Sequence, residues 1–215
     1  FYTVQLITDQ VQAGGERMKE RNQAAEIVEK CRTAGTARIT KVTQKEKSEK
    51  APLLYDLTSL QRDANRMLGY TAQQTLDYTQ SLYEKKLVTY PRTDSRYLTE
   101  DMAGMLPGLV QRIQVETGIA ADMNIPVHAQ QIINGKKVTD HHAIIPTNSI
   151  QRAAISELPS GEKAVFQLIA TRLLCSVGDP FRYSETAVEM ECADETFTTK
   201  GRTILGPGWK AIQEA

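Results

Sequence analysis

Cysteine is scarce in this chain. Cys31, Cys175 and Cys192 form an odd set with no Cys-x-x-Cys pair, and His128, His141 and His142 have no metal-ligand spacing. Both facts argue against a disulfide framework and a structural zinc site, and they are the usage expected of a reducing, cytoplasmic protein. No Gly-x-x-x-x-Gly-Lys-[Ser/Thr] loop is present, so nothing marks a nucleotide-hydrolysing site of that kind. No apolar run approaches the roughly 20 residues of a membrane helix and no signal peptide opens the chain, so no membrane partner is expected. Internal repeats and low-complexity tracts are absent as well. An excess of either charge is also missing: Lys+Arg and Asp+Glu each number 26 in 215 residues. A zero total does not advertise a nucleic-acid partner, but phosphate binding follows local fields, and those are uneven here. Arg38, Lys41, Lys45, Lys47 and Lys50 cluster before the middle of the chain, Lys85, Lys86, Arg92 and Arg96 surround Tyr90, and Glu185, Glu189, Glu191, Asp194 and Glu195 load the far end.

What is present points to a site around Tyr90. The run from Val88 to Leu98 opens with β-prone residues and reaches a tyrosine with an arginine two residues later. In an extended segment, residues i and i+2 leave the backbone on the same side, so the Tyr90 hydroxyl and the Arg92 guanidinium can reach one phosphodiester together. Pro91 between them stiffens the spacing and confines the segment to a sheet edge or strand end. A phenol is a poor nucleophile near neutrality, since its unperturbed pKa is about 10. A permanently charged guanidinium fork supplies the missing help by holding two phosphate oxygens and offsetting transition-state charge. Thr93, Asp94 and Ser95 turn the backbone, and Arg96 adds a second cation. The same residues also fit a plain strand aromatic flanked by solvated arginines.

The ends of the chain read as β and the middle as helix. Alternation over residues 1–7, a helix from Asn22 to Arg32 closed by Gly35, and β-branched residues from Thr36 to Thr43 form the first part. Near the other end Val188, Met190 and Cys192 face away from Glu189 and Glu191, and two short strands, Phe197–Gly201 and Arg202–Gly206, are expected to follow. Between them, Thr58 with Gln61 and Thr71 with Gln74 have capping-box spacing. Leu60, Ala64, Met67 and Leu68 line the first helix, which Gly69 stops; Ala72, Leu76, Thr79 and Tyr83 stripe the second, which runs to about Glu84. Two helices and then a β segment fit either a winged helix-turn-helix or a plain helical hairpin. Helical turns follow at Asp101–Met105 and Gly108–Glu116, interrupted by Pro107, and a buried helix spans Glu162 to Val177. Arg172 beside its apolar stripe either faces a nucleic-acid channel or snorkels at the surface. The expected architecture is α+β: a mainly helical domain with winged-helix-like character, residues 53–179, inserted into a split, mostly antiparallel β domain, residues 1–52 and 180–215. The crossings are Lys50-Ala51-Pro52 and Gly178-Asp179-Pro180.

The segment Leu82-Tyr83-Glu84, followed by Leu87-Val88-Thr89-Tyr90-Pro91-Arg92-Thr93-Asp94-Ser95-Arg96-Tyr97-Leu98, resembles the active-site segment of type IA DNA topoisomerases. Tyr-Pro-Arg is similar to the topoisomerase III branch. A second block, Asp140-His141-His142-Ala143-Ile144-Ile145-Pro146-Thr147, resembles that family's His-x-Ala-Ile-x-Pro-Thr segment. The resemblance implies strand breakage and rejoining through a 5′-phosphotyrosine at Tyr90, with Arg92 positioning the phosphate and His141 contacting the reacting strand. A phosphotyrosine retains a phosphodiester-like linkage, so resealing needs no nucleotide hydrolysis. If the second block is extended, only one of its two adjacent histidines can face Tyr90, and the resemblance favours His141. Asp94, Ser95, Arg96, His142 and Arg172 are the expected DNA-binding residues; Asp94 is read either as a carboxylate that holds a cation or histidine of the site, or as a turn former.

The family's Asp-x-Asp metal site with its further Glu, its catalytic lysine and its zinc-ribbon tail have no match here. Magnesium is therefore expected in a full enzyme through an N-terminal domain outside this sequence, with no cofactor on this chain. The partners are then DNA, mainly single-stranded, and the missing domains of the same polypeptide. The start at Phe1, directly in a strand-like pattern, is read as a fragment of a longer protein. A non-catalytic winged-helix module that binds single strands is the alternative.

Overall fold

The computed structural model describes residues 1–9 and 11–215. They form two compact units, one from residues 1–48 with 182–206 and one from residues 49–181 with 207–215.

The first unit is built on a sheet. Strands β1 (Tyr2–Ile7) and β2 (Gln12–Met18) precede helix α1 (Arg21–Ala34) and strand β3 (Arg38–Glu49); β4 (Phe181–Cys192) and β5 (Glu195–Gly206) come from the far end of the sequence. The sheet order is β1-β2-β5-β4-β3, so strands from both ends of the sequence interleave. β1 and β2 pair antiparallel from Tyr2 opposite Met18 to Ile7 opposite Gln12, and β5 pairs antiparallel with β2 and with β4. The β4–β5 hairpin turns through Ala193 and Asp194, both at positive φ (50° and 62°). Two consecutive left-handed residues match the right-handed twist of the flanking strands. The two short strands expected over 197–206 are instead one strand. Gly201 stands in register opposite Thr186, and the ladder with β4 carries the backbone straight through it. Val4, Ala13, Met190, Cys192 and Phe197 form the buried core, against which α1 lays Ala24, Ile27, Val28 and Cys31. Gly35 closes α1 with φ 63°, as its position predicts.

The basic cluster of β3 and the acidic run of β4 are not separate fields. Arg38 pairs with Glu191 (3.6 Å), Lys41 with Glu189 (3.7 Å), Lys47 with Glu185 (2.7 Å), and Glu46 of β3 with Arg182 (3.4 Å). From Arg38–Glu191 through Lys41–Glu189 to Lys47–Glu185 the numbers rise on β3 as they fall on β4, so opposite charges meet across neighbouring strands.

The second unit holds α2 (Leu57–Leu68), α3 (Ala72–Glu84), α4 (Leu106–Thr117), the short α5 (Arg152–Ser156), α6 (Ser160–Val177) and α7 (Gly208–Glu214). Its centre is α6, whose Val165, Phe166, Ile169, Leu173 and Val177 are buried. Each such side chain contributes about 1.5–3 kcal/mol on burial, so packing holds this helix; Pro159 gives it no side-chain cap.

Helix α2 begins two residues before the expected box. Asp56 is its cap, accepting from the Ser59 amide, while the Ser59 hydroxyl answers the Asp56 amide. The Thr71–Gln74 box of α3 forms as the spacing predicts. The buried stripe of α3 is Thr75, Thr79 and Leu82, and Tyr83 is 40% exposed. Threonine can line a core here because Oγ1 of Thr75 donates to the Thr71 carbonyl and that of Thr79 to the Thr75 carbonyl. Their hydroxyls need no solvent. Pro107 does not interrupt α4 but sits in its first turn, where its missing N–H has no partner to lose, after a 3₁₀ turn over Glu100–Met105. Helix α7 belongs to this unit rather than to the β part assigned to 180–215: Ile212 is buried in its core, and the Trp209 indole donates to the Glu49 carbonyl (3.2 Å).

Between α3 and α6 the described residues form no regular strand. Isolated bridges join Tyr55 to Ile144, Val88 to Pro146 and Leu98 to Ile133. Among the described residues, no helix is long and apolar enough to cross a membrane.

Candidate active site

The chain leaves α3 through Lys86, at φ 60°, and the Leu87 amide returns to the Leu82 carbonyl. Leu87 and Val88 are buried, which fixes where the next residues emerge. Residues 87–89 are clamped against 143–147: the Thr89 amide donates to the Ile145 carbonyl (2.9 Å) and the Thr147 amide to the Leu87 carbonyl (3.0 Å). The Thr89 hydroxyl bridges the same pair, donating to the Ala143 carbonyl and accepting from the Ile145 amide, each at 3.0 Å. A doubly satisfied hydroxyl at this depth locks the register of the two segments.

Tyr90 comes out of this clamp half-buried. Its ring lies 4.4 Å from that of His141, tilted by 46°, and 5.4 Å from Tyr83, edge-on at 77°. The ring contact between Tyr90 and His141 joins the two motifs. Arg92 is exposed and has no hydrogen bond or ion pair among the described residues. With Asp56, Asp94, Thr139, Asp140 and His141 it lines an open cleft of about 500 Å³. His141 therefore touches the tyrosine and borders the cleft that holds the free cation.

The remaining candidates divide. Asp94 accepts from the Thr139 hydroxyl at 3.3 Å and lines the cleft. His142 donates from Nδ1 to the Ala143 carbonyl (2.8 Å), since a carbonyl only accepts. Ser95 is 3% exposed, and its hydroxyl donates to the Lys137 carbonyl at 2.8 Å. Arg96 donates from Nε to the Leu54 carbonyl (3.0 Å) and from Nη2 to that of Leu53 (3.5 Å). Lys85, counted among the cations near the tyrosine, is paired with the buried Glu162 at the start of α6.

Arg172 neither borders this cleft nor snorkels. It lines a different cavity of about 350 Å³, beside Tyr55, Asp63, Cys175 and Trp209. Its side chain is 17% exposed and paired with Asp63, and the guanidinium carbon stands 4.1 Å over the Tyr55 ring. Burial pushes the Tyr55 phenol well above the usual tyrosine range. Burial pulls the Asp63 carboxyl the same way, but the Tyr55 hydrogen bond and the charges of Arg172 and Arg66 outweigh it and hold Asp63 below its ordinary value.

Two contributors were only partly legible. Tyr83 belongs to the Leu82-Tyr83-Glu84 block of the motif but also fits a helical stripe and so reads as core, whereas it is 40% exposed and its ring lies against Tyr90. The segment 53–57 carries no reactive side-chain pattern, yet its Tyr55 carbonyl takes the Ile144 amide (2.8 Å) and its Leu57 amide reaches the Thr93 carbonyl (3.1 Å).

A family model described as DNA topoisomerase matches residues 1–215. The DNA topoisomerase 3 of Bacillus licheniformis is 45% identical over 169 residues, covering 76% of this chain and 23% of that protein. The DNA topoisomerase 3 of Bacillus subtilis is 41% identical over 182 residues, covering 82% of this chain and 25% of that protein. The chain thus spans about a quarter of the length of these curated relatives. In fold it is similar to full-length topoisomerase I from Thermotoga maritima, with a TM-score of 0.73 at 21% identity over 99% of this chain and 36% of that one. With a family match along its whole length, and both sequence motifs meeting at one tyrosine, this chain belongs to the type IA DNA topoisomerase family.

Proposed function

We propose that this chain is the tyrosine-bearing part of a larger enzyme that breaks one DNA strand, lets another pass, and rejoins the first. The Tyr90 ring packed on His141, beside an Arg92 with no carboxylate partner, is the observation that carries the reading. In the forward step the Tyr90 oxygen bonds to phosphorus and the bond from phosphorus to the 3′ oxygen breaks. The phenolic proton leaves Tyr90, the departing 3′ oxygen takes up a proton, and the 5′ phosphate stays on the tyrosine. Arg92 holds non-bridging oxygens of that phosphate and offsets their growing charge. His141 is within reach of the same phosphate as donor or proton carrier. Religation runs the same exchange backwards with no energy source.

Asp94 and His142 are assigned to the strand that enters the cleft, mainly single-stranded DNA. Ser95 and Arg96, expected on DNA, are better read as scaffold because their polar atoms already bind backbone carbonyls. The order of α2, α3 and the clamped 87–90 segment supports a winged-helix-like reading of the helical unit. Magnesium would be held by other domains of the same polypeptide. The working compartment is the cytoplasm. The chain alone is expected to bind single strands weakly and to cleave inefficiently.

The test is to incubate the complete polypeptide with magnesium and single-stranded DNA, trap the covalent adduct with detergent, and map it by mass spectrometry. The adduct is expected on Tyr90 and absent from Tyr90→Phe. Cleavage that survives this change, or an adduct on another residue, refutes the assignment; binding without any adduct favours the non-catalytic winged-helix module.

A further inference from the structure

Arg172 is an almost buried cation that the proposed chemistry does not use, and its surroundings point to a task. Its Nη2 donates to the Tyr55 hydroxyl (2.9 Å) and to Asp63, while Tyr55 itself donates to Asp63 (2.9 Å). Its Nη1 reaches the Leu53 carbonyl (3.3 Å), which Arg96 of the tyrosine motif also contacts. Two guanidinium groups, one on α6 and one from the motif, therefore hold the short segment 53–55. That segment lies between the two halves of the site. The Tyr55 carbonyl takes the Ile144 amide, three residues after His141, and Leu57 binds Thr93, one residue after Arg92. The Thr93 hydroxyl then donates to the His141 carbonyl (2.8 Å), closing a circuit around the cleft.

We infer that Arg172 is a positioning residue: with Asp63 it clamps Tyr55 and the 53–57 segment so that Arg92 and His141 are held at the working distance from Tyr90. The inference rests on the assignment of Tyr90 as nucleophile. Its physical basis is reach and geometry. A planar fork on α6 reaches the Leu53 carbonyl from one nitrogen and the Tyr55 hydroxyl and Asp63 from the other, a fixed spread that the single nitrogen of an ammonium lacks. Misplacing reacting groups by about 1 Å costs on the order of a hundredfold in rate, so a clamp remote from the phosphate acts on the chemical step and leaves strand binding nearly unchanged.

The experiment uses the complete polypeptide with magnesium and a single-stranded oligonucleotide, in wild type, Arg172→Ala, Arg172→Lys and Tyr55→Phe. Adduct formation is timed at saturating DNA, affinity is measured separately in a Tyr90→Phe background, and rates are normalised to the folded fraction from circular dichroism. Arg172→Ala is expected to slow adduct formation at least tenfold with affinity within twofold. Arg172→Lys should rescue less than a third of the loss. Tyr55→Phe, which removes one hydroxyl and keeps the ring, should slow the step two- to fivefold. Arg172 lines a cavity of about 350 Å³, so added guanidinium ion should restore part of the Arg172→Ala rate and none of the Tyr90→Phe rate. An Arg172→Ala rate within twofold of wild type, a loss that appears only in affinity, or one that matches the loss of folded protein overturns the inference. Adducts in Tyr90→Phe would instead overturn the assignment of the nucleophile beneath it.

Discussion

Two glycine-to-alanine substitutions in the same helical unit should change stability in opposite directions. Gly208, which opens α7, has φ 48°, and a Cβ there would meet the carbonyl oxygens of Pro180 and Asp179 at 2.4 and 2.6 Å. The obstacle is backbone, which cannot swing aside. The left-handed conformation costs an L-residue about 1–2 kcal/mol, and forcing a methyl into filled space costs about 1–3 kcal/mol. The sum is about 2–5 kcal/mol, and at 1.4 kcal/mol per tenfold the unfolding constant rises roughly 30-fold or more. Gly108 in α4 has a helical backbone and nothing within 4 Å of its would-be Cβ. Alanine there should stabilise by about 0.5–1 kcal/mol through the smaller conformational freedom lost on folding. Trp209 is the one tryptophan of the chain and lies in α7, so its fluorescence in a urea titration reports this unit. Gly208→Ala should lower the midpoint sharply and Gly108→Ala should raise it slightly. A neutral Gly208→Ala would mean that the 207–215 segment does not dock as described, and the placement of α7 in the helical unit would fall with it.

Two further outcomes follow from titratable groups whose surroundings shift them. The folded-state pKa of Asp63 is depressed, so its contribution is complete above the ordinary aspartate range, around pH 4, and is lost as pH falls through the lower folded value. Asp63→Asn should flatten the acid limb of a plot of urea midpoint against pH; parallel curves for the two proteins would show that the carboxylate is not held as described. Burial pushes the Cys175 thiol up to about 12 and the Cys31 thiol up to about 11, the latter with help from Cys192. At pH 8 iodoacetamide should spare Cys175 in the native chain, modify Cys31 slowly, and label all three cysteines in urea; rapid native labelling of Cys175, read by peptide mass, would contradict its burial.

The sequence made the site legible where chemistry is local and left it dark where contacts are remote. Tyr90, Arg92 and His141 stand in two short motifs, and the structure puts Arg92 and His141 on one cleft with the Tyr90 ring against His141. The α3 cap and the Gly35 stop were readable because the partners lie within one turn. The α2 cap was misread because Thr58 and Asp56 both suit a helix start, and only the amide actually reached tells them apart. Thr75 and Thr79 look polar in one dimension, yet bonding to their own helix makes them core. The role of Arg172 depends on Tyr55 and Asp63, which no spacing rule connects to it. The β4 and β3 charges were assigned to separate regions for the same reason: strand pairing, invisible in the chain order, brings each acid opposite a base.

That pairing reshapes how the protein greets a polyanion. Along β3 and β4 four of the basic side chains already have acidic neighbours, so a nucleic acid laid there would have to prise apart ion pairs and would liberate few counterions in exchange. Arg92, by contrast, has no such competitor to displace. The zero total charge therefore hides a local difference: much of the basic charge of β3 is matched across the sheet, while Arg92 stands at its cleft without an ion-pair partner among the described residues.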